Sequence, residues 1–246
     1  MPFVSTEAYV LRTYKLAEQD KIVVLFTRDF GKMRLVAKGA RKIKNRFGAS
    51  LEVLTHLRIL FHEKENRDLL VLDRADILFS PYKRPTKLRT DYFLYYFAEL
   101  VNEFYPEREK NAAAFRILSN IKRALEHQQD LEYVARYVEL QLLHSQGILS
   151  SVAVCSQCSR PFESLLERRY LGVHTEIFCK RCRDTGSVAL PVPIIKSMDS
   201  FERGSSGWAN SLSGATLEEL GSLNRLLITR FLGKNLRTYP FKKDFV

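Results

Sequence analysis

Three features of the sequence predict an α+β chain of more than one domain. Apolar runs of strand length, separated by turn signals, fill residues 3–78. From residue 86 onward apolar side chains recur every three or four positions. All four cysteines fall between residues 155 and 182, in two Cys-x-x-Cys pairs. A period of two followed by a helical period argues for sheet and helices in separate blocks, and paired cysteines argue for a third, differently held module.

The strand region is read first. Val4 to Leu16 places Ala8, Val10 and Tyr14 at even positions, and Lys21 to Thr27 is a compact apolar run. Arg28-Asp-Phe-Gly31 turns the chain, with Gly31 free to take a positive φ. Lys32 to Lys38 alternates and pairs back as a hairpin. Gly39 to Ser50 is basic and irregular. Leu51 to His62 and Asp68 to Phe79 read as two more strands, joined by the charged turn at 63–67. Five short strands suit a small antiparallel barrel, and the five-stranded barrel that binds nucleic acid on its strand face and loops is the OB-fold.

Pro81 and Pro85 end the sheet region. Thr86 to Tyr105 carries Leu88, Tyr92, Tyr95, Tyr96, Leu100 and Phe104 at helical spacing, and its aromatics read as core. Pro106 stops it. Asn111 to His127 carries Phe115, Leu118, Ile121 and Leu125. Asp130 is placed to cap a helix over Leu131 to Ser145, which Gly147 ends. After the cysteines, Pro191 and Pro193 lead into a short helix, Ile194 to Phe201. Glu202 to Ala215, which includes Trp208, is rich in Gly and Ser and reads as a loop. Thr216-Leu-Glu-Glu219 reads as a capping box opening the last helix, Leu217 to Leu232, with Gly233 closing it. The tail adds Lys234, Arg237, Lys242 and Lys243. The expected domains are a barrel over 1–80, a helical domain begun at 81–150 and completed at 191–246, and a cysteine module at 151–190 inserted between its two parts.

The cysteines are Cys155, Cys158, Cys179 and Cys182, two knuckles separated by 20 residues. Each knuckle presents two sulfurs from one turn, and two knuckles face to face supply four thiolates in a tetrahedron, the closed shell of a structural Zn²⁺ site. Such a shell has no open position for water, so it staples and does not catalyse. The alternatives are two disulfides or four free thiols. Met1-Pro-Phe3 lacks the basic and apolar regions of a signal peptide, and no stretch is long and apolar enough for a membrane span, so a reducing cytoplasm is expected, without membrane attachment. His174 lies inside the module, but four thiolates already fill the shell.

Charge points to the partner. Lys and Arg number 39 against 28 Asp and Glu, a net charge of +11, which suits a polyanion. The segment Lys38 to Arg46 is cationic at five of nine positions and has no acid. Cations on a loop follow phosphates without reading sequence. Arg34 lies just upstream; Arg12 and Lys15 can join the same face. Among the barrel aromatics Tyr9, Tyr14, Phe26, Phe30 and Phe47, an exposed one can stack on a base. Arg168, Arg169, Lys180, Arg181 and Arg183 crowd the cysteines, where they offset thiolate charge or touch phosphate. The sequence contains no phosphate-binding glycine loop, no nucleophile elbow and no His-Glu-x-x-His, so an enzyme is not expected.

Several segments together resemble the bacterial recombination mediator family RecO: Val10-Leu-Arg-Thr13, Asp20 to Arg28, Phe30-Gly-Lys32, Val36-Ala-Lys-Gly-Ala-Arg-Lys42, then the helical middle, the paired cysteines and Leu232-Gly233 with its basic continuation. The resemblance implies an N-terminal OB-fold and a C-terminal helical domain carrying the cysteine module. It further implies binding of single- and double-stranded DNA, annealing of complementary strands, and loading of RecA onto single strands coated by single-stranded DNA-binding protein (SSB), together with RecR and in many bacteria RecF. Binding of the acidic, Phe-ended C-terminal tail of SSB is implied as well. Carried onto this sequence, the DNA-contact residues are Arg34, Lys38, Arg41, Lys42, Lys44 and Arg46. The competing expectation is a protein-interaction adaptor whose basic surface takes acidic tails, with DNA binding secondary.

Overall fold

The computed structural model describes residues 3–62, 70–83, 87–173, 175–204 and 212–241. The charged turn at 63–67, Pro85, His174, Trp208 and the Gly/Ser positions at 205–211, and Lys242 and Lys243 lie outside the described residues. Strands β1 (Phe3–Lys15), β2 (Lys21–Thr27), β3 (Gly31–Ala37), β4 (His56–His62) and β5 (Leu70–Phe79) close into a barrel in the order β1-β2-β3-β5-β4. This is the OB-fold. Neighbours are antiparallel except β3 and β5, which pair in parallel at Leu35–Leu70 and Val36–Val71. A wholly antiparallel barrel, as the strand count suggested, is ruled out by closure: a ring with an odd number of strands must contain a parallel pair. Period-two burial fills the interior with Ala8, Val10, Val23, Leu25, Met33, Leu35, Leu57, Ile59, Phe61 and Leu72.

One expected strand segment differs. Leu51, Val53 and Leu54 are apolar and buried, but the chain through 51–55 is not extended. A 3-10 turn spans Gly48–Leu51, and Leu54 takes φ 56°. Val10 binds this turn from both sides, donating to Thr55 O at 3.1 Å and accepting from Leu54 N at 2.8 Å. That contact coincides with the irregularity in β1, whose register on β2 shifts between Val10 and Arg12.

Helices α1 (Leu88–Phe104) and α2 (Ala112–Glu126) belong to the same compact unit as the barrel, which comprises residues 1–131 and 235–246. Asn111 caps α2, its side chain accepting from Ala114 N. These helices cover part of the outer face of β1–β2–β3. Tyr9 donates to Ser119 Oγ at 3.4 Å and packs on Phe115, Phe26 meets Tyr105 edge-on, and Lys32 Nζ donates to Asn102 O at 2.5 Å. The connector between them runs beside the start of β3: Arg108 N donates to Lys32 O at 2.8 Å. Gly31 makes this possible, because it takes φ +65° and a Cβ there would lie inside the Glu109 carbonyl.

The second unit, residues 132–234, holds α3 (Leu131–Ser145), the sheet β7-β6-β8 built from β6 (Tyr170–Leu171), β7 (Ile177–Phe178) and β8 (Val188–Ala189), and helices α4 (Val192–Glu202) and α5 (Gly214–Leu232). Its core contains a polar cluster: Arg136 donates to Glu139 at 2.7 Å, and Asn224 Nδ2 donates to the other Glu139 oxygen at 2.9 Å, all three residues being buried. Gly221 leaves room for the Arg136 guanidinium. Helix α5 begins earlier than the capping-box reading placed it. Ser213 is the cap, its Oγ accepting from Thr216 N at 3.2 Å, and Thr216 lies inside the helix. Gly233 closes it in the left-handed conformation, as expected. No helix among the described residues is long and apolar enough to cross a membrane.

Gly31 gives a test of the connector. Gly31→Ala should cost about 2–4 kcal/mol in denaturant unfolding, because a positive φ and a collision with backbone add. Gly48→Ala, at φ +51° with open space around it, should cost only about 1 kcal/mol. Equal losses would remove the connector contact from the account.

Candidate nucleic-acid interface and metal centre

Strand pairing puts two of the predicted cations, Arg12 and Arg34, in one row, and Lys15, of opposite parity on β1, outside it. Arg12, Val24 and Arg34 are paired across β1, β2 and β3, and Tyr14, Ile22 and Val36 form the next row. Because Val23, Leu25 and Leu35 point into the core, these rows point outward, and Lys38 continues the series past the end of β3. Of the five barrel aromatics, Tyr9, Phe26 and Phe47 are buried and Phe30 is half-buried against Phe61. Tyr14 alone among them is exposed, at 41%, with the Arg12 guanidinium 4.5 Å from its ring centre. A ring held by a cation on one side is suited to stack a base on the other. An open trough of about 540 Å³ borders it, lined by Tyr14, Val24, Arg34, Asn102, Glu103 and Glu107 among others.

The loop after β3 is less irregular than its composition suggested. Gly39 N donates to Asp20 Oδ1 at 2.8 Å, Arg41 N to Gln19 O at 3.0 Å, and the Arg41 guanidinium to Ala17 O at 2.8 Å. The Asn45 side chain accepts from Phe47 N and Gly48 N and donates to Lys42 O, a side-chain turn that replaces backbone structure. Lys38, Arg41, Lys42, Lys44 and Arg46 are all exposed. They are not equivalent. Arg46 reaches Leu72 O and stands 3.5 Å from Asp73, and Arg34 is paired with Glu107 at 2.5 Å. Lys38, Lys42 and Lys44 have no acidic partner within 4.0 Å among the described residues. Glu107 escaped the sequence reading because only the fold brings the connector to β3.

In the second unit the cysteine sulfurs all lie within 4.8 Å of one another. A tetrahedral metal with bonds of about 2.3 Å to sulfur has edges of about 3.8 Å, so the four residues can hold a metal ion. The knuckles are built alike. Ser159 N donates to Cys155 O at 2.9 Å, and Arg183 N donates to Cys179 O at 3.1 Å. Ser156 joins the first knuckle to β7, its N donating to Ile177 O and its Oγ accepting from Ile177 N. Tyr170, Phe178 and Phe162 pack round the sulfurs. Burial alone would raise Cys155, but N–H donors from Cys158, Cys179 and Gln157 outweigh it and bring the thiol down to about 6. Burial also raises Cys179, and the N–H groups of Cys182 and Arg181 overcome it, lowering the thiol. Cys182, facing Cys179 and the other sulfurs, is pushed up to about 12. Backbone N–H groups thus favour the thiolate at Cys155 and Cys179, while the crowding of sulfurs disfavours it at Cys182.

The arginines near the cluster divide. Arg169 is buried, donating to the carbonyls of Val152, Ser164 and Glu167 and lying over Phe162. It is structural and cannot reach a phosphate. Arg160, not singled out in the sequence, pairs with Glu167 beside the first knuckle. Arg168, Lys180, Arg181 and Arg183 remain exposed, Arg183 over the Tyr170 ring.

An OB-fold barrel with a cationic loop, followed by helices and a four-cysteine cluster that could hold a metal, defines a class of mixed barrel-and-helix proteins. Comparison with known proteins narrows this. Family models match almost the whole chain: "Recombination protein O N terminal" over residues 1–81 and "Recombination protein O C terminal" over residues 86–240. The chain belongs to the RecO family of DNA repair proteins. It is similar to the DNA repair protein RecO of Geobacter metallireducens, 31% identical over 97% of this chain and 96% of that one, and to that of Roseiflexus, 29% identical over 97% and 84%. The RecO of Koribacter versatilis is 43% identical over a shorter stretch, 46% of each chain.

Elemental analysis of the purified chain should find one thiophilic metal ion per chain. Cys158→Ser removes an exposed ligand and should abolish that binding and lower the unfolding temperature of the second unit by several degrees. Full metal content in Cys158→Ser would exclude a four-thiolate site.

Proposed function

We propose that this chain is a non-catalytic DNA-repair mediator acting in the cytoplasm. It holds single- and double-stranded DNA without base specificity and anneals complementary strands. With RecR, and with RecF, it helps load RecA onto SSB-coated single strands. The observation that carries this reading is the loop at 38–46: its backbone is pinned, and Lys38, Lys42 and Lys44 have no acidic partner within 4.0 Å among the described residues. Such ammonium groups neutralise phosphates and release counterions. Arg34, Arg41 and Arg46 extend the contact along the barrel, and Tyr14 stacks a base of a single strand. Two strands held close with their charge partly neutralised pair faster. The metal is zinc, and it stiffens the second unit.

A second reading, the adaptor, is favoured by a different observation. In the second unit an apolar groove of about 180 Å³ is lined by Leu171, Val173, Val188, Leu190, Leu223 and Leu226, with Glu219 and Arg230 also on its walls. An apolar side chain next to a carboxylate fits it, which suits the Phe-ended tail of SSB. The mediator reading uses both surfaces. In the adaptor reading the basic surface takes the acidic part of the tail and this groove its apolar end, with DNA binding secondary.

Strand annealing on SSB-coated single strands, at two salt concentrations, tests the choice. Lys38, Lys42 and Lys44 changed together to Ala should slow annealing and lower the salt slope of single-strand binding by about two, at roughly 0.7 per cation, with unfolding unchanged. This triple is cleaner than one including Arg41, whose guanidinium braces the loop. Wild-type annealing no faster than with SSB alone, alongside tight binding of a Phe-ended acidic peptide, would establish the adaptor.

Arg34 supplies a prediction of opposite sign. Glu107→Gln leaves the connector backbone in place and releases Arg34 from its ion pair, so DNA affinity should rise about three- to tenfold at low salt. A fall in affinity would remove Arg34 from the interface.

A further inference from the structure

At the apex of the loop at 38–46 stands an isoleucine. Ile43 is 101% exposed, while Ala40 before it and Phe47 after it are both buried in the barrel core. Single exposed apolar side chains are ordinary on protein surfaces. Ile43 is set apart by three things. The chain on either side is anchored, by Ala40 and the Asp20 and Gln19 hydrogen bonds on one flank, and by Phe47 and the Asn45 turn on the other. Lys42 and Lys44, its immediate neighbours, are exposed and lack an acidic partner within 4.0 Å among the described residues. Leu16, also on the neighbouring β1–β2 loop that Arg41 grips, is a second half-exposed apolar group.

We propose that Ile43 is an apolar wedge that enters the base stack of DNA held by its flanking lysines. The chemistry of the tip selects the partner. An apolar group between two cations, with no acid beside it, matches a ligand whose apolar interior lies between anionic rails, and a nucleic-acid strand presents that pattern at every step. Apolar side chains inserted between bases unstack them, at an energetic cost offset by the phosphate contacts alongside. A rigid base is needed for such insertion, because a floppy loop would fold the side chain back. In an annealing protein the consequence is specific: bases parted from their own neighbours are presented to a complementary strand. The proposal rests on the DNA-binding reading of the loop.

The test uses the full chain and a single-stranded oligonucleotide carrying 2-aminopurine, whose fluorescence rises when it is unstacked. The wild-type chain should brighten the probe severalfold. Ile43→Ser should lose most of that brightening and about tenfold in affinity, as expected for one buried aliphatic group, with an unchanged salt slope, because no counterion is involved. The double variant Lys42→Ala/Lys44→Ala should instead lower the salt slope by about 1.4. Ile43→Ser that brightens and binds like the wild type would overturn the wedge. A wild-type slope in the lysine variant would overturn DNA binding by the loop and the wedge with it, whereas a lowered slope there beside wild-type brightening in Ile43→Ser would overturn the wedge alone. Ile43 touches no core residue, so a change in unfolding temperature would itself contradict its exposed position.

Discussion

Among the described residues, barrel closure between β3 and β5 rests on two paired positions, Leu35–Leu70 and Val36–Val71, and the rest of the first unit is arranged round β3. Among the described residues, the closing edge of β3 meets β5 near its C-terminal end. Its beginning takes the α1–α2 connector, and its end releases the chain into the cationic loop. The same strand therefore carries barrel closure, the docking of the helical hairpin and the launch of the loop. Its outward residues alternate with core residues, so Arg34 and Lys38 are held on the surface by the same pleat that buries Leu35 and Ala37.

The second unit answers a different constraint. Strands β6, β7 and β8 have two residues each, too few to hold a sheet together unaided. Order comes from the knuckles, whose backbone N–H groups aim at the sulfurs, and from a buried arginine, Arg169, that ties three carbonyls. Helices α3 and α5 are registered by the buried Arg136–Glu139–Asn224 cluster, where misalignment would leave a charge unpaired at a cost of several kcal/mol.

What could be read from the sequence follows the range of the interactions concerned. The helix over Leu131–Ser145 and strand β2 are read to the residue, because their periodicity and flanking turn residues are local. The four-cysteine cluster is legible because a metal imposes a spacing. Residues 51–55 misled, since apolar composition reports burial and not extension, and Val10 dictates their turn from another strand. At α5 the capping box at Thr216 misled, because Ser213, three residues earlier, caps the helix. Five of the six proposed DNA-contact positions are readable as a charge run and Arg34 lies just upstream of it, but their inequality is not readable: Glu107 meets Arg34 and Asp73 meets Arg46 only once the barrel has closed.

The connector beside β3 has a consequence for the molecule in a crowded solution. An open strand edge invites the strands of other chains, and many sheet proteins spend charges or prolines to discourage this. Here Pro106 and the run Glu107-Arg-Glu-Lys110 lie along the vulnerable half of β3, so the link between two helices doubles as a guard against edge-to-edge aggregation. Wherever copies of the chain meet often, an edge sealed from within keeps those encounters from becoming sheets.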